Sequence, residues 1–489
     1  MAFADNNDNN LNFAGDFRIK KCTIISYRKA PDSDKSFRVN VLPQLMSFSF
    51  VEDITSPFIT GEIDLADTND IRTLLPLTGM ERLELVAYTP GQIETIHYEE
   101  NLTDTLYIYK IAKIKVGSGT GRQQVYRLYF TSREAYKNNT VRVSKAFSGP
   151  TENAVIELLE KTKYLNTTKP IYAEPSATNA KYVIPNLKPY AAIKFLADNT
   201  ISKKYKNAGY LFYETTRGFN FRSIESLMAM DGTMARPPSE LYAIQPSKMR
   251  TEKGEIDIQK DLRAVYDYSF VDAVNQLEEM NAGLFANRLV TNDIFNKKIE
   301  THDYDYFESF GDYYHTEYSG EGEKSFTKWL KPFTKFDITG KTLGDLPMQK
   351  LMNLAQTAKT HNDYEFVPFK DTVPQRISQR AQMANFHLIM TVPGQTRINA
   401  GNIISFALPY QKQVAHDEAQ RLNPYYSGRY LILQLKHKFD VVNQKHQMNM
   451  RCVKDSVATD LPIEMDELIT ITDTGPVIDI YDEDKNTLS

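Results

Sequence analysis

The stretch FHLIMTVPGQTRINAGNIISFALPYQKQVAHDEAQRLNPYYSGRYLILQLKHKFDVVNQKHQMNMRCVKD, Phe386 to Asp455, decides the fold class. Four short segments in it alternate apolar and polar residues, and turn residues separate them, the grammar of an antiparallel meander. Leu388, Met390 and Val392 share one face of the first segment, which Pro393-Gly394 closes; Ile404, Phe406 and Leu408 repeat the alternation before Pro409. In the third segment Leu431, Leu433, Leu435, His437 and Phe439 share a face, and Ile432, Gln434, Lys436 and Lys438 share the other. A loop at Asp440 to Asn443 would set Leu435 opposite Met448, Leu433 opposite Met450 and Leu431 opposite Cys452, every pair apolar. It would also set Lys436 against Gln447 and Gln434 against Asn449. Slipping that register by one residue mixes the two faces, so the pattern predicts a sheet wall with one dry face.

Working outward, composition bounds the rest. A chain of 489 residues has room for about three domains and more than one core. Apolar content of 41% and charged content of 25% are those of a globular protein, and 29 Tyr and 26 Phe against a single Trp favour strands and aromatic contact surfaces. No apolar run reaches membrane-spanning length, and the N-terminus MAFADNNDNNLNFAG lacks the basic and apolar regions of a signal peptide. Two cysteines, Cys22 and Cys452, give no disulfide framework and suit folding in a reducing cytoplasm. The net charge of −4 hides an asymmetry: Asp455 to Ser489 holds ten acidic residues and one basic residue, Lys485, so that tail carries −9 and the remainder +5. Acidic ends of this kind read as a solvated, disordered terminus, but the regularly spaced Ile, Leu, Val and Met residues are more than a solvating tail needs, and the second reading of residues 456–489 is an acidic partner-docking arm.

Residues 1–15 are Asn-rich without periodicity, a disordered arm. FRIKKCTIISY, LMSFSFVED, FITGEIDLAD and ERLELVAY are then short β-type runs between turn signals at Ser56-Pro57, Thr68-Asn69-Asp70 and Thr78-Gly79. Leu106 to Val116 and Gln123 to Phe130 flank GSGTG, Gly117 to Gly121. A phosphate loop would need Lys-Ser/Thr opening a helix, and Arg122-Gln123-Gln124 leads into strand-like VYRLYF, so GSGTG reads as a hairpin turn. Between Ser148 and Ser202 the period changes to that of two short helices, one with a Val155, Leu158, Leu159 stripe and one opening at Pro189. GYLFYETTRGFNFRS follows as a hairpin. Beyond it, SFVDAVNQLEEMNAG reads as helix, LFANRLVTNDIFNKKIETHDYDY as strands, FESFGDYYHTEYSGEGEKSF as a long exposed loop, and LGDLPMQKLMNLAQTAKTHN as a helix with a Leu/Met stripe.

No chemical signature rises from the residues. His437 and His446 become cross-strand neighbours facing the core, but no third ligand is spaced to join them, so they read as a buried hydrogen-bonded pair and no metal is assigned. HExxH, paired CxxC and GxSxG are missing, and no catalytic or cofactor-binding residue is assigned. Carboxylates at His97-Tyr98-Glu99-Glu100 and from Asp303 to Glu308 read as solvated or salt-bridged acids. Dispersed basic residues and a pI near 6.1 predict no specific nucleic-acid binding.

The strings VPGQTRINAGN (Val392–Asn402), SGRYLILQLKHKF (Ser427–Phe439) and MNMRCVKDS (Met448–Ser456) resemble the last barrel of the baseplate hub proteins of T4-like contractile-tailed phages, and the related hub module of type VI secretion spike proteins. FITGEIDLAD, LPLTGMERLEL, RVSKAF, GYLFYETTRGFNF and GLFANRLV precede them in the order of that family, so the resemblance spans roughly residues 45 to 455. It implies a mainly β fold with short helices: two tail-tube-like antiparallel β-barrels per chain with an inserted α+β region. The first barrel falls at 16–135, with 205–240 available to complete it. The second falls at 136–205 plus 375–455, and the insertion at 240–375. It further implies a structural virion protein rather than an enzyme: a homotrimeric ring joining the hexameric tail tube to a central spike that often carries a lysozyme on a separate chain. Other baseplate or wedge proteins would be neighbours. Two alternatives stand beside it, the hub of another contractile injection system and a tail-associated glycan or peptidoglycan hydrolase using the Tyr/Asp-rich region.

Overall fold

A computed structural model describes residues 10–29, 35–100, 105–116, 124–177, 179–229, 239–244, 257–271, 276–293, 297–316, 348–354, 369–383, 386–409, 422–423 and 425–456. GSGTG and residues 457–489 of the acidic tail lie outside them, as do residues 1–9 of the N-terminal arm. The fold is mainly β, mostly antiparallel, with short helices.

The first lobe is built from β1 (Arg18–Lys29), β2 (Ser36–Asn40), β3 (Leu45–Asp53), β4 (Thr60–Asp67), β5 (Arg82–Tyr88), β6 (Thr95–Tyr98), β7 (Leu106–Val116) and β8 (Gln124–Ser132), with α1 (Ile71–Leu74) between β4 and β5. Alternation does the work: Phe48 and Phe50, Ile63 and Leu65, Leu83 and Leu85, Ile108, and Tyr126, Leu128 and Phe130 all turn to one core. Burying a side chain of this size is worth about 1.5–3 kcal/mol, so the dry face holds the lobe together. β7 and β8 pair up to Val116↔Gln124 on either side of the GSGTG segment.

A smaller unit follows. α2 (Arg133–Asn138), β9 (Val143–Pro150), α3 (Thr151–Glu160), β10 (Ile171–Ala173), β11 (Asn179–Leu187), α4 (Pro189–Ala197), β12 (Tyr210–Thr215) and β13 (Gly218–Ser223) enclose their own core. The Val155, Leu158 and Leu159 stripe of α3 faces Ala192, Ile193 and Leu196 of α4 inside it. The hairpin β12–β13 pairs with β10 in a separate three-stranded sheet.

Further along come α5 (Ile224–Met228), β14 (Leu241–Ala243), α6 (Ile258–Asp261), β15 (Asp267–Phe270) and α7 (Gln276–Ala282). β16 (Ala286–Asp293), β17 (Lys298–Asp305), α8 (Tyr306–Ser309), β18 (Met348–Leu354) and α9 (Phe369–Gln382) complete this region. Within the Leu/Met run expected as a helix, Met348–Leu354 form β18, paired parallel to β16, because a short apolar run fits either period and the neighbouring strand decides; 343–347 and 355–362 lie outside the described residues. Of the segment expected as an exposed loop, FESFGDYYHTEYSGEGEKSF, the part FESFGDYYHT (307–316) is packed: Phe310 enters a small core with Leu284, Phe285 and Tyr306, and His315 and Thr316 are buried; 317–326 lie outside the described residues.

The second lobe closes the chain with β19 (Phe386–Pro393), β20 (Ile403–Ala407), β21 (Gly428–Asp440) and β22 (Lys445–Lys454). Its strands join those of the first lobe in one sheet, along the path β15-β19-β22-β21-β3-β4-β8-β7-β5-β1-β2, with β14 and β20 attached beside β21. An isolated bridge, Ala243↔Ala264, links β14 to the residues entering β15. Among the described residues no helix is long and apolar enough to cross a membrane.

Candidate interaction scaffold at the seam between the lobes

One strand belongs to both lobes. The first half of β21 pairs with β20, Ile403↔Leu431; its second half pairs with β3, His437↔Phe50 and Phe439↔Phe48. Its other edge is covered by β22, where Leu435 faces Met450, His437 faces Met448 and Phe439 faces His446. The register deduced from the sequence is therefore off by two residues: the turn is Val441–Gln444, not Asp440–Asn443. A two-residue slip leaves every side chain on its face, so alternation alone does not detect it. An irregularity between Ile432 and Gln434 puts Ile432 opposite Cys452 and lets consecutive residues be buried.

His437 and His446 do meet, as diagonal neighbours, with Nδ1 of His437 3.0 Å from Nε2 of His446. Phe50 stacks on His437 at 4.6 Å and Phe439 on His446 at 3.8 Å. Burial pushes His437 down to about 3; burial, then the neighbouring imidazole, push His446 well below its ordinary value. Both rings are neutral at pH 7, one donating to the other. Among the described residues no group of three or more His, Cys, Asp or Glu side chains gathers where a metal could bind. The pair is a packing brace.

VPGQTRINAGN plugs the seam above this brace. The Gly394 N–H donates to the His446 carbonyl at 2.9 Å, the His446 N–H donates to the Gly15 carbonyl at 2.9 Å, and a Cβ on Gly394 would overlap the His446 ring. Thr396 and Thr89 exchange backbone-to-hydroxyl bonds of 3.1 and 3.2 Å. Glu52, fully buried on β3, accepts from the N–H of Thr216 at 2.7 Å, the N–H of Ala400 at 2.8 Å and Nδ2 of Asn399 at 3.1 Å. Burial raises this carboxyl above the usual range against the pull of those donors. Three segments hundreds of residues apart thus converge on one side chain.

A second buried ionic centre ties the smaller unit to the first lobe. Lys169 Nζ lies 2.7 Å from both Glu134 Oε2 and Glu214 Oε1; Thr167 donates to Glu134 at 2.6 Å, and the Ile59 N–H donates to Glu214 at 3.1 Å. Burial opposes ionisation of all three. The carboxylates nonetheless hold Lys169 protonated, Lys169 holds Glu134 low, and Glu214 is raised. A lysine between two glutamates could serve acid–base chemistry in a cleft, but these side chains are 7% exposed or less. Substrate has no way in, and the triad is a brace.

The acids flagged in the sequence are held as surface pairs. Glu99 bonds Lys21 and His97, and Glu100 bonds Arg38 and Arg82. Asp303 pairs with Arg288 through two bonds of 2.6 and 2.8 Å, and Asp305 caps α8. Sequence reading missed Glu52 and the Lys169 triad. Glu52 did carry a signal, an acid in step with Phe48 and Phe50 on an apolar strand face; the triad had none, its members being 35 and 45 residues apart.

No protein-family model matches the chain. A curated relative, the probable baseplate hub protein gp334 of Vibrio phage KVP40, is 20% identical over 414 residues, covering 83% of this chain and 88% of its own. Among solved structures, a tail protein of Neisseria meningitidis MC58 aligns at 11% identity and TM-score 0.45, over 90% of this chain and 97% of its own. The 43 kDa tail protein of prophage MuSo2 from Shewanella oneidensis aligns at 8% identity and TM-score 0.47, over 89% and 99%. Through most of its length, this chain is similar to the baseplate hub proteins of T4-like phages, which are structural components of the virion tail and not enzymes.

Proposed function

We propose that the chain is the central baseplate hub of its virion, three copies closing into a ring between the hexameric tail tube on one face and a trimeric spike on the other. The observation that carries this reading is the similarity to a baseplate hub protein along 83% of the chain. Two barrel-like lobes per chain would give a threefold ring six similar units toward the tube. In support of a second barrel, pairings run β14-β20-β21-β22-β19-β15, and the Ala243↔Ala264 bridge returns β15's lead-in to β14 around the core of Leu388, Met390, Phe406 and Leu435. The first lobe curls around one core from β3 to β2 and leaves β2 as an edge.

On this reading 16–135 is the first barrel and 375–455 the body of the second; the pairings of β14 and β15 favour adding 240–270 to it, in place of the 136–205 that the resemblance assigned, because that stretch encloses its own core. Residues 136–230 are the unit between them, 275–370 the insertion, and 1–15 and 456–489 the arms. The chain folds in the host cytoplasm before assembly, and other baseplate or wedge proteins contact the ring's rim. Coexpression with the tube-end and spike proteins of the same virion tests it. The reading predicts that spike and chain co-elute in a 3:3 complex that then binds the tube protein. Elution of the chain apart from both would contradict it.

A further inference from the structure

A cavity of about 460 Å³ opens where the first lobe, α4 and the second lobe meet. Its apolar lining includes Leu211, Phe212, Met383 and Leu433, and Lys194, Arg380 and Arg451 also line it. Arg380 pairs with Asp198 at 2.7 Å, and Arg451 touches the imidazole of His387 through Nε at 3.2 Å. Among the described residues neither Lys194 nor Arg451 has a carboxylate within ion-pair distance. Asp53, the acid of the lining, already accepts from Thr55 and Gln434. The cleft is therefore greasy inside and cationic, and it asks for an acidic, aliphatic segment.

The chain carries such a segment. Residues 457–489 hold nine acidic residues and one lysine, and Leu461-Pro462-Ile463-Glu464-Met465-Asp466-Glu467-Leu468 interleaves aliphatic with acidic side chains. The place where it leaves the body is fixed. Asp455 is buried and bonded to His315 at 2.8 Å and to the N–H and hydroxyl of Thr316 at 2.7 and 2.6 Å, and Ser456 is buried beside it. Ser456 lies five residues beyond Arg451, about 17 Å of chain, and Leu461 lies five residues beyond Ser456, a similar reach. Tethering at this length supplies an effective concentration in the millimolar range, so modest contacts suffice.

We propose that residues 461–468 of each chain dock into this cleft of the same chain, with Glu464, Asp466 and Glu467 meeting Lys194 and Arg451 and the aliphatic residues meeting Leu211, Phe212 and Leu433. The inference is independent of the hub reading, since it rests on the cleft, the tether and charge alone. The full-length protein tests it by carbodiimide cross-linking, which joins an amine to a carboxylate in contact, on a mixture of isotopically light and heavy chains, together with hydrogen exchange. Expected are Lys194 cross-links to Glu464, Asp466 or Glu467 within chains of one isotope. Amides of 461–468 should exchange at least tenfold more slowly than in the Lys194→Glu/Arg451→Glu variant, and Lys194→Arg should keep that protection. Both substituted side chains are exposed, so the variant should keep the far-ultraviolet spectrum of the unsubstituted protein. Cross-links only between light and heavy chains would overturn the proposal in favour of a neighbouring copy's tail. Exchange at free-peptide rates in the unsubstituted protein would overturn it altogether.

Discussion

Glu52 shows how much one side chain fixes at the seam. Glu52→Ala leaves the N–H groups of Thr216 and Ala400 and the amide of Asn399 buried without their acceptor. The expected loss is about 3–5 kcal/mol, read as a lower denaturant midpoint. Gly394→Ala drives a methyl group into the His446 ring and should cost about 1–3 kcal/mol by the same measurement, with the far-ultraviolet spectrum unchanged. Single residues were legible from the sequence where they broke or obeyed a strand alternation. Leu388, Met390, Val392 and Phe406 were assigned inward and are buried, and Glu52 was visible in principle as an acid in the inward row of β3. Lys169 could not be placed against Glu134 and Glu214, because which distant polar groups meet in a core depends on tertiary packing that periodicity does not encode.

At the scale of the element, the β21–β22 hairpin was legible in its faces but not in its register. Two-residue slips are silent in an alternating pattern, and the turn Val441–Gln444 has no glycine to mark it; Gln444 itself takes the left-handed conformation at φ 50. Helices α3 and α4 were legible because their apolar stripes have a 3.6 period, whereas β18 was not, being a short run whose partner β16 lies some 60 residues away in the sequence.

The hairpin also carries a pH dependence. His437 and His446 are neutral when folded, with proton affinity lowered by burial, and ordinary when unfolded. The unfolded chain therefore binds more protons in acid, and stability falls as pH drops below about 6.5, by up to about 1.4 kcal/mol per pH unit for each histidine. For His437 the loss continues to about pH 3. Carboxylates such as Asp455, held low by its His315 partner against the cost of burial, add their loss only below the usual carboxylate range. Denaturant midpoints between pH 6.5 and 5 should fall more steeply in the unsubstituted protein than in His437→Gln/His446→Gln, where the raised carboxyls of Glu52 and Glu214 act in the opposite sense. An equal slope in both would contradict the assignment.

For the whole molecule, the strands of the two lobes share one continuous sheet, pinned by β21, Glu52 and the VPGQTRINAGN plug. Such a body suits a part that transmits geometry. Its first lobe ends in β2, whose exposed Phe37 lies on an edge strand, a hazard in a monomer and an asset in a closed ring. On the proposed ring, Phe37→Lys should weaken self-association at least tenfold in sedimentation while leaving the far-ultraviolet spectrum unchanged. Threefold closure, as proposed, is read from the mass of the purified full-length protein, measured by light scattering across a range of concentrations. A closed ring predicts a stable species of three times the 56.1 kDa chain. A monomer at every concentration would contradict it.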